Sequence, residues 1–241
     1  MSGVLQIAID GPAASGKTTV ARRLAERLHI VYVDTGAMYR ALAYLALHTR
    51  TDADNEAALV RLCEEHPIHV EFRNGGFSVS AGGQEIDNDT LQSNEVTAVV
   101  STIAKHPHVR ETMVREQRRI ADDHPVVMAG RDIGTVVLPN APVKIFLTAS
   151  VQARVERRRA QLMQAGVDIS MHRLAEEIEE RDRLDQHRAV SPLVPAADAH
   201  IVDSSDKTVD AVLDEICRIV SFETHPAGAP QDDKQILVDD K

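Results

Sequence analysis

The sequence predicts an α/β fold in which an open, parallel, five-stranded sheet is covered by helices. Three observations carry that prediction. Short apolar runs at Val4-Leu5-Gln6-Ile7-Ala8-Ile9, Ile30-Val31-Tyr32-Val33, Val126-Val127-Met128-Ala129, Val143-Lys144-Ile145-Phe146-Leu147 and His200-Ile201-Val202 have the length of strands buried on both faces. Helical patterns alternate with them, at roughly residues 37–48, 53–65, 90–105, 108–122, 150–165, 171–186 and 207–221. The first run also leads into Gly11-Pro12-Ala13-Ala14-Ser15-Gly16-Lys17-Thr18, a complete G-x-x-x-x-G-K-[ST] phosphate loop, which requires a strand before it and a helix after it.

Each part of that loop has a physical purpose. Its glycines let successive backbone N–H groups turn inward around a phosphate, Lys17 reaches the β/γ-phosphates, and the Thr18 hydroxyl is a ligand for Mg²⁺. A helix starting near Ser15 and running through Val20-Ala21-Arg22-Arg23-Leu24-Ala25 adds its dipole to the same anion. Residues 11–18 with Thr19 are therefore the candidate site for a nucleoside triphosphate.

In open parallel sheets ligands sit beyond the carboxyl ends of the strands. Two further segments then become candidates: Asp34-Thr35-Gly36, where Gly36 allows a tight turn into a helix that carries Arg40, and Gly130-Arg131-Asp132, which offers a cation and a carboxylate together. An Arg131–Asp132 surface pair is the structural alternative for the latter.

Residues 68–87 interrupt the α/β rhythm. Ile68, Val70 and Phe72 alternate with polar residues, Asn74-Gly75-Gly76 supplies a hairpin turn, and Phe77-Ser78-Val79-Ser80 alternates again, so a small antiparallel meander is expected. With the helix at 90–105 it makes an inserted lobe over about 66–105, too small to be an independent domain. Residues 224–241, with Pro226, Gly228, Pro230 and several acidic residues, are expected to form a disordered tail after a single domain at 1–223.

Charge narrows the function. At 241 residues and a formal charge of −10, the chain lacks the broad basic surface that general binding to nucleic acid or to an anionic membrane needs. Three tyrosines, four phenylalanines and no tryptophan leave little to stack single-stranded bases on. Two cysteines, Cys63 and Cys217, form neither a metal spacing nor a disulfide framework, and no secretory leader or membrane helix is seen, so a cytoplasmic protein is expected. The arginines are nevertheless clustered, at Arg154-Arg157-Arg158-Arg159 and Arg181-Arg183-Arg188. Each cluster alone reads as a solvated helix face. No Asn-Lys-x-Asp segment for guanine and no strand ending in paired Asp-Glu is present; arginine at strand ends and on late helices suits phosphoryl transfer between two phosphorylated small molecules.

Five segments in order carry a resemblance: residues 11–18, Asp34-Thr35-Gly36-Ala37-Met38-Tyr39-Arg40, Ala129-Gly130-Arg131-Asp132-Ile133-Gly134-Thr135-Val136-Val137, Ala141-Pro142-Val143-Lys144-Ile145-Phe146-Leu147, and Arg181-Asp182-Arg183 through Ala189-Val190-Ser191-Pro192-Leu193. Together they resemble the bacterial cytidylate kinase family over residues 4–221. The resemblance implies a three-layer P-loop kinase fold with a lid at about 150–170, ATP and Mg²⁺ as phosphoryl donor and metal, CMP or dCMP as acceptor, and a monomer. It assigns base contacts to Ser101, Arg110 and Asp132, ribose contacts to Arg181 and Asp185, and a position near the base to Thr35. Arg40, Arg131 and Arg188 are the candidates for gripping the monophosphate. Arg154, Arg157 and Arg158, at i, i+3 and i+4 in the lid, approach ATP from one side, and spacing does not decide which of them contacts it. Lys17, Arg131, Arg188 and Arg158 make the candidate catalytic set.

Spacing of four also allows an Arg181–Asp185 ion pair, with Arg188 one turn further if the helix persists. Two positions depart from the family: Thr35 stands where relatives have serine, and Ala129 where some have an acidic residue. A uridylate or adenylate kinase remains the nearest enzymatic alternative, and a slowly hydrolysing nucleotide switch the alternative from another class.

Overall fold

The computed structural model describes residues 4–73, 76–164 and 166–224. Five strands, β1 (Gln6–Asp10), β2 (Val31–Asp34), β6 (Val126–Gly130), β7 (Val143–Thr148) and β8 (His200–Asp203), form one parallel sheet in the order β2-β6-β1-β7-β8. Alternation along these strands makes three layers. Ile7 and Ile9 of β1 face α1 (Lys17–Leu28) and α9 (Val209–Thr224), where they pack with Val20, Leu24, Leu213 and Ile216; Ala8 faces the other way, among Met38, Leu42 and Met128. The second layer is built from α2 (Thr35–Thr49), α3 (Glu56–Glu65) and α6 (Pro107–Asp123).

The predicted meander is present as β3 (Ile68–Arg73), β4 (Gly76–Ala81) and β5 (Gln84–Ile86), an antiparallel sheet in that order. Its hairpin turn at Asn74-Gly75 lies outside the described residues. The insertion has no core of its own: Val70, Val79 and Ile86 join the cluster of α2 and α6, and Phe77 meets Tyr32 of the main sheet edge-to-face, 5.5 Å between ring centres.

Several boundaries differ from expectation by a few residues. The first helix begins at Lys17 rather than near Ser15, because Gly16 sits in the left-handed region at φ 92° as its N-cap. The helix expected at 90–105 is broken into α4 (Asn88–Leu91) and α5 (Asn94–Ile103); Ser93 is extended and its hydroxyl accepts from Val96 N–H at 3.3 Å, starting a new helix. After α7 (Val151–Gln164), α8 (Met171–His187) stops one residue before Arg188, whose ψ of 141° leaves the helical region. Thr224 closes α9 instead of opening the tail, and the rest of the expected tail, 225–241, lies outside the described residues.

One element has no counterpart in the sequence reading. Residues Ile133–Val137 form a single π-helical turn directly after Asp132. It is held at both ends. Asp10 accepts from Ile133 N–H at 2.8 Å and Gly134 N–H at 2.7 Å, while Arg118 donates to the carbonyls of Val136 and Val137 at 2.6 and 2.9 Å. A carboxylate at the amino end and a guanidinium at the carboxyl end both oppose the turn's dipole.

Gly11 shows why the chain can turn out of β1 into the loop. Its φ of 150° is paired with a close approach to β7: a Cβ there would lie 2.0 Å from the Leu147 carbonyl oxygen. Gly11→Ala is expected to destabilise the protein by about 1–3 kcal/mol, lowering Tm by several degrees in a circular-dichroism melt. An unchanged Tm would contradict this close approach.

Candidate functional site: a cationic cleft at the carboxyl edge of the sheet

The parallel register brings the predicted segments to one level. Asp10 lies opposite Gly130 and Phe146, and Asp34 opposite Ala129, so the loop after β1, the start of α2 and the residues after β6 share one edge. From there the chain builds two adjoining groups of side chains.

The first surrounds the phosphate loop. Lys17 is buried and donates from Nζ to the Pro12 carbonyl at 2.5 Å and to Ser15 Oγ at 3.2 Å. Burial, reinforced by Arg131, holds its ammonium well below the usual lysine range. Thr18 and Thr19 are exposed on the first turn of α1. Three of the four arginines of α7, Arg154, Arg157 and Arg158, separate here. Arg154 is buried and donates to Asp182 at 2.5 Å and, more weakly, to the Ala13 carbonyl at 3.3 Å. Arg157 reaches the Ser15 carbonyl at 3.4 Å and Ser204, whose Oγ is itself 3.1 Å from the same Ser15 oxygen. Arg158 makes only a 3.4 Å contact to Gln161 Oε1, on the same helix, and lies near enough to Arg181 to help depress its pKa.

The second group lies beyond the loop. Arg110 on α6 is buried, donates to Asp132 and to the Ala104 carbonyl at 3.1 Å, and stacks over Tyr39 with its guanidinium 5.3 Å from the ring centre. Arg131 donates to Asp185 at 2.8 Å. Arg188 donates to the Ser191 carbonyl and stands 3.8 Å from Asp185. Arg40 donates to Asp34 at 2.9 Å, and the other oxygen of Asp34 accepts from Gly36 N–H at 2.9 Å as the cap of α2. Thr35 spends its hydroxyl proton on the Ala129 carbonyl at 2.9 Å, leaving its oxygen free only to accept. Ser101 is half-buried on α5 and takes no part in these bonds.

These pairings correct two alternatives. Arg131 and Asp132 are not a pair with each other; each bonds elsewhere, to Asp185 and Arg110. Asp185 bonds to Arg131, 54 residues away, and not to Arg181, four residues away on its own helix. The consequence is an Arg181 without a fixed carboxylate. Its pKa is pushed down to about 10, by burial first and by Arg131 next, with Arg40 and Arg158 adding to the repulsion that Asp185 opposes. In Asp185 itself burial works to raise the pKa, and Arg131, Arg181 and Arg188 outweigh it and hold the carboxyl below its ordinary value.

The site thus holds more positive charge than its own carboxylates neutralise. It also holds donors that lack a partner: Nε of Arg40, Arg110 and Arg181 and Nη2 of Arg188 are buried and find no acceptor among the described residues. Three elements, α2, α6 and α8 with the residue that caps it, deliver these four groups to one place. A phosphorylated ligand supplies what they lack, namely negative charge and acceptor oxygens.

Sequence reasoning missed Asp10, the clamp on the π-helical turn, and assigned no role to Tyr39 beneath Arg110. Asp10 carries a signal of its own: a carboxylate ending an otherwise apolar, doubly buried strand, immediately before Gly11. Burial raises its pKa to about 6 against the backbone donors of Gly134 and Ile133.

Comparison with known proteins gives this geometry a family. The family model for cytidylate kinase matches residues 7–221. A cytidylate kinase of Geobacillus sp. (strain WCH70) is 47% identical over 221 residues, covering 92% of this chain and 98% of that protein. One of Anoxybacillus flavithermus (strain DSM 21510 / WK1) is 48% identical over 220 residues, covering 91% and 97%. Among solved structures, an uncharacterized protein from Eubacterium ventriosum ATCC 27560 aligns with a TM-score of 0.50 at 13% identity over 90% of this chain and 98% of that one, a likeness of fold alone. With the phosphate loop, the five-stranded parallel sheet and this extent of identity in one chain, the protein belongs to the cytidylate kinase family.

Proposed function

We propose that the protein transfers the γ-phosphoryl group of ATP to CMP or dCMP, giving ADP and CDP or dCDP. The observation that carries the reading is the set of four buried arginine donors without acceptors among the described residues, beside a phosphate loop whose lysine is depressed by burial first and by Arg131 next. Two phosphorylated substrates held together bring the charge that this cleft lacks.

Donor and acceptor occupy different parts of it. Residues 11–19 take the ATP phosphates, with Lys17 at the β/γ-phosphates. Thr18, exposed beside Lys17, fits the role of a Mg²⁺ ligand; among the described residues no cluster of three His, Cys, Asp or Glu side chains is placed to hold a metal, so the nucleotide's own phosphates and water would complete the coordination. When bound, the ion offsets charge on the phosphates.

Arg110 and Asp132 read the base. Cytosine presents its N4 amino group to the carboxylate and its N3 and O2 acceptors to the guanidinium, whereas uracil would set O4 against Asp132 and N3–H against Arg110. Ser101 borders the base and Thr35 offers it an acceptor. Arg181 and Asp185 take the ribose, and Arg40, Arg131 and Arg188 grip the monophosphate. No protein nucleophile is required: an oxygen of the CMP phosphate attacks the γ-phosphorus in line, and Lys17, Arg131, Arg188 and Arg158 stabilise the group in transfer.

The insertion at 66–105 and the segment at 150–170 close over the substrates and exclude water, which suppresses hydrolysis of ATP. The protein works as a monomer in the cytoplasm, in pyrimidine nucleotide metabolism. No helix among the described residues is long and apolar enough to cross a membrane.

A coupled assay of ADP release across CMP, dCMP, UMP, AMP and GMP tests the reading. CMP or dCMP is expected to be preferred over UMP by at least about tenfold in kcat/KM. Equal or faster turnover of UMP or AMP would sink it, and ATP hydrolysis independent of any monophosphate would favour the switch.

The lid arginines give a second test. Arg154 and Arg157 are occupied by Asp182, Ser204 and loop carbonyls, so Arg158 is the one whose guanidinium is available to ATP. Arg158→Ala is expected to lower kcat by about 10–100-fold with Tm unchanged, while Arg157→Ala lowers Tm. Wild-type kcat in Arg158→Ala would remove that residue from the catalytic set.

A further inference from the structure

We propose that Asp10 is a positioning residue for the acceptor base: it ties the Arg131-Asp132 segment to the strand that enters the phosphate loop. The inference rests on the reading of Asp132 as the residue that meets cytosine.

The geometry runs in one chain of contacts. Asp10 ends β1, opposite Gly130, with Gly11 next in sequence. Both of its oxygens are used, one by Ile133 N–H at 2.8 Å and the other by Gly134 N–H at 2.7 Å. Those two donors open the π-helical turn, and two of its bonds return to Asp132, whose carbonyl accepts from Val136 N–H at 2.9 Å and from Val137 N–H at 3.1 Å; a third runs from Leu138 N–H to the Ile133 carbonyl at 2.7 Å. Asp132 is therefore fixed from both sides of its own peptide unit. Gly130 precedes it by two residues in the sheet, and the clamped turn follows it.

Space around the clamp is filled. Gly134 packs close to β1 and β7: a Cβ there would be 3.2 Å from Lys144 Cδ and in ordinary contact, 3.5 Å, with Asp10 Oδ2. Asp10 is itself buried, with 4% of its surface exposed, and water does not replace a lost oxygen there. Asparagine in its place keeps one acceptor and points an N–H₂ at a backbone N–H. The turn then moves, and Asp132 moves with it, while the chain through residues 11–18 keeps its own contacts to Leu147, Arg154 and Arg157.

This coupling has a use in a two-substrate enzyme. Donor loop and acceptor-reading carboxylate come from strands 120 residues apart in sequence, and in-line transfer fails if they are mispositioned by about an ångström. A carboxylate at the root of the loop that holds the acceptor segment sets that distance directly.

The test compares wild type, Asp10→Asn and Asp132→Asn by steady-state kinetics with CMP and UMP at saturating ATP, and with ATP at saturating CMP. For Asp10→Asn we expect KM for CMP to rise about tenfold, the CMP-to-UMP ratio of kcat/KM to fall at least about fivefold, and KM for ATP to stay within about twofold. A merely structural loss, or one acting through Lys17, raises KM for ATP as much as KM for CMP and leaves the ratio in place; either result overturns the inference. An unchanged ratio in Asp132→Asn overturns the base reading and this inference with it, whereas a fallen ratio in Asp132→Asn beside an unchanged one in Asp10→Asn overturns the inference alone. If Asp10→Asn does not fold, Arg118→Ala frees the other end of the same turn, at the Val136 and Val137 carbonyls, with Asp10 retained. It must show the same signature to a smaller degree, and wild-type discrimination in it counts against the clamp.

Discussion

An excess of buried positive charge at one edge of a parallel sheet is the constraint on which the rest of this structure depends. Lys17, Arg40, Arg131, Arg158, Arg181 and Arg188 converge there, and Asp34 and Asp185 cannot neutralise them all. The repulsion is shared: after burial, Arg131 does most to depress both Lys17 and Arg181. Without ligand, this arrangement opposes folding, since like charges repel in a medium of reduced dielectric. The fold withstands it because two apolar layers, one under α1 and α9 and one under α2, α3 and α6, hold the edge in place from below. The same repulsion becomes affinity once phosphates arrive.

The phosphate loop is held from outside as well as by its own turns. Ser204 from the loop after β8 and Arg157 from α7 both reach the Ser15 carbonyl, and Arg154 reaches that of Ala13. Carbonyls that point outward toward these donors leave N–H groups to point inward. The insertion is anchored in a comparable way. Its apolar residues, Val70, Val79 and Ile86 of the strands together with Leu91, Val96 and Val100 of α4 and α5, belong to the core of α2 and α6, so the insertion is packed onto that layer rather than hung from it as a freely hinged unit.

Much of this was legible in the sequence because it follows from period and spacing. The five strands of the parallel sheet, the meander and the phosphate loop follow from apolar runs, alternation and a motif with a mechanical reason, although β8, at the sheet edge with Ile201 exposed, is not buried on both faces as its run implies. Other features depend on competition between partners, which spacing does not reveal. Asp185 had Arg181 four residues away, yet Arg131 from another strand end won it, and the loss of that pair is what leaves Arg181 exposed to repulsion. Ser93 breaks a pattern that looks continuously helical because its hydroxyl satisfies a backbone donor. The π-helical turn was invisible since its stabilising charges, Asp10 and Arg118, are brought from elsewhere in the chain.

The Arg110–Asp132 pair shows why such a site spends stability on specificity. Both side chains are almost wholly buried, at 4% and 7% exposure, and taking two charges out of water costs several kcal/mol per ion, which their attraction does not reliably return. The exposed Arg22–Glu26 pair on α1 avoids that cost and contributes less than about 1 kcal/mol. A pair of apolar residues at 110 and 132 would give the more stable protein. What it would lose is a directed contrast: a carboxylate that only accepts and a guanidinium that only donates, stacked on Tyr39 so that it cannot turn aside. On the proposed reading of the base, one that differs from cytosine by an exchanged donor and acceptor would meet two buried mismatches there, and discrimination would arise from that penalty more than from any bond the correct base forms.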